Sequence, residues 1–286
     1  MDDRTNGVPN RATIEGALEG IVRENRFTIA VTFPLVGVVL MIAGSQGYLP
    51  SWLATNPYLI VGANLVMVSP LIAGLFPLVG RRTAIGLALL ACFTWGIELT
   101  GVRTGWPYGE FQYELALGPM LFGEVPLALP VFFFPILLNS YLLCLLLLGP
   151  RSRSLAIRLP ATLGVVLTMD LVLDPGAVAL GFWAWDDPGA YYGVPAINYA
   201  GWVLSGSIAL LLIERSFDAD AVRDRLDECE FLLDDLVSFV LFWGLVNAYV
   251  GNWIPFVLAL ALAGAVVRSD RFDYAVLGDR FAAAGR

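Results

Sequence analysis

The sequence contains no histidine and no lysine. Without histidine, imidazole acid–base catalysis is excluded, and the usual zinc and iron ligand sets are missing. The three cysteines, Cys92, Cys144 and Cys229, show no metal-type spacing. Two of them lie in apolar runs, and they read as small core residues. There is no Gly-rich phosphate loop, no nucleotide fingerprint and no basic patch for nucleic acid. No convincing repeat relates residues 1–150 to 151–286. No short apolar run with a cleavage site follows a charged start, so no signal peptide is expected. Charge is scarce as well: 15% of residues are charged, and the net charge is −8. A lysine-free acidic chain points to a high-salt host, where carboxylates stay hydrated and screening is severe.

Apolar residues take up that space. They make up 58% of the 286 residues, and the mean hydropathy is +0.72. This is the composition of an integral membrane protein. Apolar runs fall at about 27–44, 58–79, 83–101, 124–149, 155–175, 197–214, 231–250 and 253–267. Most are long enough for a hydrocarbon core of roughly 30 Å. The first and last are short, so seven spans is the alternative count. With eight spans, sixteen of the seventeen arginines fall on one side and only Arg103 on the other. The positive-inside rule then places both termini in the cytoplasm. The expected fold is an all-α, polytopic bundle in the cell membrane. It comprises a cytoplasmic segment 1–26, a transmembrane catalytic domain 27–268 and a cytoplasmic tail 269–286.

This topology sets depth. Glu98 lies near the outer end of the third span, and Asp170 and Asp174 lie towards the outer end of the fifth. Asn198 opens the sixth span on the same side, and the loops 102–123 and 176–196 are both external. Asp170 and Asp174 are one turn apart and share a helix face. An acid inside a span costs roughly 2.5–3.5 kcal/mol at mid-helix, so it normally marks function. The plainer alternative is that Glu98 is solvated at the headgroups or paired with Arg103. Both external loops are rich in Trp and Tyr, for which an interfacial belt is the ordinary explanation. Asp234 and Asp235 read as interfacial acids at a helix start and are given no role. The charged loop 216–230 reads as a solvated connector.

Acids held in apolar surroundings among aromatic rings suit one kind of chemistry. A carboxylic acid that keeps its proton can protonate a carbon–carbon double bond. Aromatic faces stabilise the resulting cation by about 2 kcal/mol or more each when desolvated. A second, ionised carboxylate then takes a proton from the attacking water. Asp170, deeper than Asp174, is the expected donor, with Glu98 or Asp174 activating water. Trp95, Arg103, Trp106, Tyr113, Trp183, Trp185, Tyr192, Asn198 and Trp202 are expected to line the substrate pocket. No cofactor and no metal are called for, and the substrate would be a lipid-soluble alkene entering from the bilayer.

The blocks that carry these residues resemble a known family. They are Glu98-Leu-Thr-Gly-Val-Arg-Thr-Gly-Trp-Pro-Tyr-Gly-Glu-Phe-Gln-Tyr113, Gly123-Glu-Val-Pro-Leu127, and Met169-Asp170 through Asp174-Pro175 and Gly181-Phe-Trp-Ala-Trp185 to Asn198-Tyr-Ala-Gly-Trp202. Together they look like the membrane carotenoid hydratases, which include the bisanhydrobacterioruberin hydratases of halophilic archaea. The resemblance covers roughly residues 94–205. It implies water addition across terminal double bonds of a long acyclic carotenoid of the C50 type, giving tertiary alcohols in bacterioruberin biosynthesis. It also implies a hydro-lyase that works beside other carotenoid-pathway enzymes. One departure is Phe132-Phe133-Phe134, where a Trp is expected soon after Pro126-Leu127. Three other readings are compatible with the residues: a carotenoid end-group cyclase, a membrane prenyltransferase built on the Asp170/Asp174 spacing, and a proton-coupled transporter.

Overall fold

The computed structural model describes residues 10–269 except 55 and 116. Residues 1–9 of the expected N-terminal segment and 270–286 of the expected tail lie outside the described residues. The chain is built almost wholly of helices. Helix α1 (Arg11–Phe27) starts at Asn10, whose side chain accepts the N–H of Thr13. It continues through a π-helical turn, Thr28–Thr32, into α2 (Phe33–Ser45). A short α3 (Ser51–Ala54) precedes α4 (Pro57–Leu75), which Asn56 caps. Helix α5 (Arg81–Thr104) ends at Gly105, whose φ of 71° suits glycine. Then come α6 (Leu129–Leu148), α7 (Leu155–Ala179), α8 (Ala196–Ser216), α9 (Ala219–Glu228), α10 (Asp234–Val250) and α11 (Trp253–Arg268).

Among the described residues, six stretches are long and apolar enough to cross a membrane: Arg11–Ser45, Pro57–Leu78, Arg81–Thr104, Leu129–Arg153, Leu155–Ala179 and Ala196–Ser216. Helices α10 and α11 are shorter, at 17 and 16 residues.

Helix α6 is the hub. It packs against α4, α5, α7, α8, α10 and α11, and every residue from Ile136 to Leu145 is buried. A helix that is apolar all round belongs in such a place. The surrounding helices keep large apolar side chains outward, among them Val39 on α2, Leu89 on α5, Val203 on α8 and Leu260 on α11. Those faces suit lipid rather than water.

Four prolines, Pro70, Pro135, Pro160 and Pro175, sit inside these helices, and each removes the N–H that would pair with the carbonyl four residues earlier. In hydrocarbon an unpaired carbonyl costs several kcal/mol. Three of the four freed carbonyls have a side-chain partner. Opposite Pro70, Val66 O accepts from Ser69 Oγ at 2.7 Å. Opposite Pro135, Val131 O accepts from Asn64 Nδ2 at 2.9 Å. Opposite Pro175, Leu171 O accepts from the Tyr191 hydroxyl at 3.2 Å. The run expected to end at Pro175 therefore continues as helix to Ala179. The same stretch is braced by Asn247 Nδ2, which donates to Val172 O at 2.7 Å, and by Asn252 Nδ2, which donates to Pro175 O at 3.2 Å.

The two long loops on the side of Glu98 and Asp174 contain short strands. Strands β2 (Met120–Leu121) and β3 (Val125–Pro126) form a small hairpin, where the sequence alone gave an apolar run from 124. Strand β1 (Phe111–Tyr113) pairs antiparallel with β4 (Trp183–Trp185), with Phe111 opposite Trp185 and Tyr113 opposite Trp183. Opposed residues, and alternate residues along a strand, point to the same side of a ribbon. Phe111, Tyr113, Trp183 and Trp185 thus share one face, and Gln112 and Ala184 take the other.

Candidate active site

That aromatic face closes onto a cavity of about 610 Å³. All four ribbon aromatics line it, joined by Tyr108 and by Phe132 and Phe133 from the start of α6. Phe133 stacks on Trp202 of α8, with centroids 5.0 Å apart and planes 16° apart. The phenylalanines at the position where a Trp was expected thus still supply an aromatic wall. The ribbon is tied down by Trp185, whose Nε1 donates to Tyr108 O at 2.9 Å. Tyr108 in turn is wedged between two helices at glycines. A Cβ on Gly101 of α5 would come within 2.9 Å of its ring, and one on Gly201 of α8 within 2.5 Å.

Five polar residues meet this apolar space near the ribbon. Glu98 projects from α5 and accepts a hydrogen bond of 2.5 Å from the Tyr113 hydroxyl. Burial and then the neighbouring Glu98 push the Tyr113 phenol well above its ordinary pKa, so it remains a donor. Asp170 and Asp174 project from α7 and are 0% and 5% exposed. Asn198, at the first turn of α8, bridges them: its Nδ2 donates to Asp174 Oδ2 at 2.6 Å and to Asp170 Oδ2 at 3.3 Å. Asp170 Oδ1 is buried and has no hydrogen-bond partner among the described residues. No ion pair reaches Glu98, Asp170 or Asp174 among the described residues. Nor do any three acids there converge as metal ligands do.

Of the twelve residues singled out from the sequence, eight line this one cavity: Glu98, Tyr113, Asp170, Asp174, Trp183, Trp185, Asn198 and Trp202. The other four do not line it. Arg103 points away, half exposed, and forms a two-pronged salt bridge to Glu124 at 2.8 and 2.9 Å. That pairing holds Glu124 below the ordinary carboxylate range. Arg103 is thus the counter-ion of a loop carboxylate, and the proposed pairing with Glu98 does not form. Trp106 is 56% exposed, an interfacial position. Tyr192 instead accepts the backbone N–H of Ile254 at 3.3 Å, tying the loop to α11. Trp95 lies on α5 beyond the cavity lining, its Nε1 buried.

Sequence reasoning missed Tyr108, Phe111 and Phe133, and it missed Asn139 and Asp235, which line the far part of the same cavity. Phe111 carried a readable signal, since it alternates with Tyr113 at strand spacing. The cavity also has a side opening. Val36 and Leu40 of α2 and Tyr58, Leu59 and Val66 of α4 line it and are exposed on the outer face of the bundle. It therefore opens between α2 and α4 on the flank that lipid would cover. A volume in this range encloses a ligand of small-molecule size or one end of a longer chain.

A family model described as "Carotenoid biosynthesis protein" matches residues 55–266. The chain is 58% identical over 253 residues to a bisanhydrobacterioruberin hydratase of Haloarcula japonica, an alignment that covers 88% of this chain and 86% of that one. No solved structure matches.

Proposed function

The chain belongs to the carotenoid biosynthesis protein family, and from that membership we propose that it is a carotenoid hydratase. It adds water across terminal double bonds of a long acyclic carotenoid of the C50 type and gives tertiary alcohols. The observation that carries this reading is the trio Glu98, Asp170 and Asp174, which opens onto an aromatic, apolar cavity with no cation paired to it among the described residues. Three uncompensated negative charges in such surroundings would be very costly, so the group holds protons. A protonated acid beside an alkene is the starting state for hydration.

The steps balance with these residues alone. Asp170 gives its proton to the less substituted alkene carbon, and its O–H bond breaks as the C–H bond forms. The tertiary cation left on the neighbouring carbon lies among Trp183, Trp185 and Trp202. Water adds its oxygen lone pair to that carbon. Glu98 or Asp174 takes a proton from the attacking water, and proton exchange among the carboxyls restores the acid on Asp170. The net change is alkene plus water to alcohol. Asp170 is assigned as donor because its buried Oδ1 has no hydrogen-bond partner among the described residues. Glu98 and Asp174 each accept a short hydrogen bond, from Tyr113 and Asn198, which holds an oxygen of each as an acceptor. Expression in a host that makes the anhydro-carotenoid tests this reading. Extracted pigment should gain the mass of one water per hydrated end. An unchanged mass with altered absorption would instead indicate cyclisation.

The topology belongs to the same proposal: eight spans, counting α10 and α11, with both termini cytoplasmic in the cell membrane. Asp187 and Asp224 are both exposed and lie on opposite sides in this arrangement. A membrane-impermeant thiol reagent applied to whole cells should label Asp187→Cys and not Asp224→Cys. The reverse pattern would reject the orientation and the shared depth of the acids.

A further inference from the structure

Behind the reacting acids lie two hydroxyls that packing does not explain. Tyr108, in the loop after α5, is 4% exposed, and Ser205 of α8 is 0% exposed. The Tyr108 hydroxyl and Ser205 Oγ are buried, and neither has a hydrogen-bond partner among the described residues. Asp170 Oδ1 is in the same condition.

One face of α8 brings these groups together. Asn198, Gly201 and Ser205 are spaced three and four apart, so they form a row along that helix. Asn198 meets Asp170 and Asp174. Gly201 admits the Tyr108 ring, since a Cβ there would come within 2.5 Å of the ring and 2.7 Å of Pro107 O. Gly101 of α5 receives the other edge of the same ring. Ser205 comes next in the row. The phenol is thus threaded between α5, which carries Glu98, and α8, whose Asn198 holds both aspartates. Electrostatics set its hydroxyl among the same groups. Burial and then Glu98 push the Tyr108 phenol above its ordinary pKa, the Ser205 hydroxyl acts against this, and Asp170 and Asp174 add to the rise. All three acids and Ser205 therefore act on one hydroxyl, which keeps its proton.

A phenylalanine would fill the space between the two glycines without burying an unpaired hydroxyl, which costs about 1–3 kcal/mol. What the hydroxyl adds is the capacity to donate and accept at once, which serine shares. Buried hydroxyls without protein partners are sites for bound water, and hydration itself brings water here. Asp174 is one helix turn from Asp170. Glu98 projects from a different helix, so it is the acid that needs a connection.

We propose that Tyr108 and Ser205, joined by bound water, return the proton from Glu98 to Asp170 after each hydration. This rests on the hydratase reading. The Glu98 O–H bond breaks as its proton passes to the Tyr108 oxygen. The Tyr108 O–H proton passes to Ser205 or the water beside it, and a proton from that group forms the new O–H bond on Asp170. Each relay group ends with as many protons as it began, and no further reactant takes part. Both residues act through Asp170 and not on the alkene, so they matter after the first turnover and not during it.

The test is rapid-quench hydration of anhydro-carotenoid by the full chain in lipid vesicles, with products weighed by mass spectrometry. Tyr108→Phe keeps the ring between Gly101 and Gly201. It should complete a first turnover at the rate of the unaltered protein and then slow by about 10²-fold, the lower end of the worth of a positioned acid–base group. Ser205→Ala should show the same pattern with a smaller slowing, and it decides the matter if Tyr108→Phe does not fold. Steady turnover at the unaltered rate in both variants overturns the relay. Loss of the first turnover in both overturns it too, because the hydroxyls would then serve the chemistry or the packing directly. No product from the unaltered protein overturns the hydratase reading and the relay with it.

Discussion

Replacing Asp170 by asparagine should lower hydration by about 10²- to 10⁴-fold, the usual worth of a positioned general acid. The substitution keeps the size of the side chain and leaves an amide able to hydrogen-bond Asn198. It removes the one group in the trio with a buried oxygen free to carry a transferable proton. Helix α7 should survive the change, because its bracing comes from Tyr191, Asn247 and Asn252 through backbone carbonyls. The measurement is turnover of anhydro-carotenoid in vesicles, read beside pigment binding by quenching of tryptophan fluorescence. Binding should stay within a few-fold of the unaltered protein. A variant that binds and hydrates at the normal rate would transfer the donor role to another carboxyl, and loss of binding would make Asp170 a structural residue.

The second large effect belongs to Glu98. If it accepts the proton from the attacking water, Glu98→Gln should cost about 10²- to 10⁴-fold in kcat. Tyr113→Phe keeps the carboxyl but removes the 2.5 Å hydrogen bond it accepts. A hydrogen bond to a charged group contributes about 1.5–3 kcal/mol, so the loss there should be tens-fold and smaller than for Glu98→Gln. Both should act on kcat more than on KM, since neither group is needed to hold a hydrocarbon. An inert Glu98→Gln beside an active Asp170→Asn would reverse the two roles. Full activity of both, together with full activity of Asp174→Asn, would remove acid–base chemistry from this cluster.

Much of this arrangement was legible before any coordinates. The one-sided arginines placed Glu98, Asp170, Asp174 and Asn198 at one depth, and a shared depth is what a polar cluster in a bundle needs. Helical spacing alone put Asp170 and Asp174 on one face. What failed were contacts between distant segments. Arg103 is five residues from Glu98, but it lies near the end of α5, where Glu124, folded back by the β2–β3 hairpin, is the nearer acid. Trp106 and Trp185 look alike in sequence. The pairing of β1 with β4 buries one of them, and the exposed turn after α5 leaves the other at the surface. Asp235 read as an interfacial acid because it starts a helix. Only the packing of α10 against α6 brings it to Asn139 and the cavity. The continuation of α7 past Pro175 depends on a hydroxyl sixteen residues later in the chain, which no local pattern announces.

The central claim is that water is added to a protonated alkene in this cavity. It is tested most directly by incubating the full chain in vesicles with anhydro-carotenoid in deuterated, oxygen-18-labelled water. Mass spectrometry of the product should show one heavy oxygen in each new alcohol and one deuterium on the adjoining carbon, with Asp170→Asn giving almost none of either. A product without heavy oxygen, or one formed equally well by Asp170→Asn, Glu98→Gln and Asp174→Asn, would contradict it.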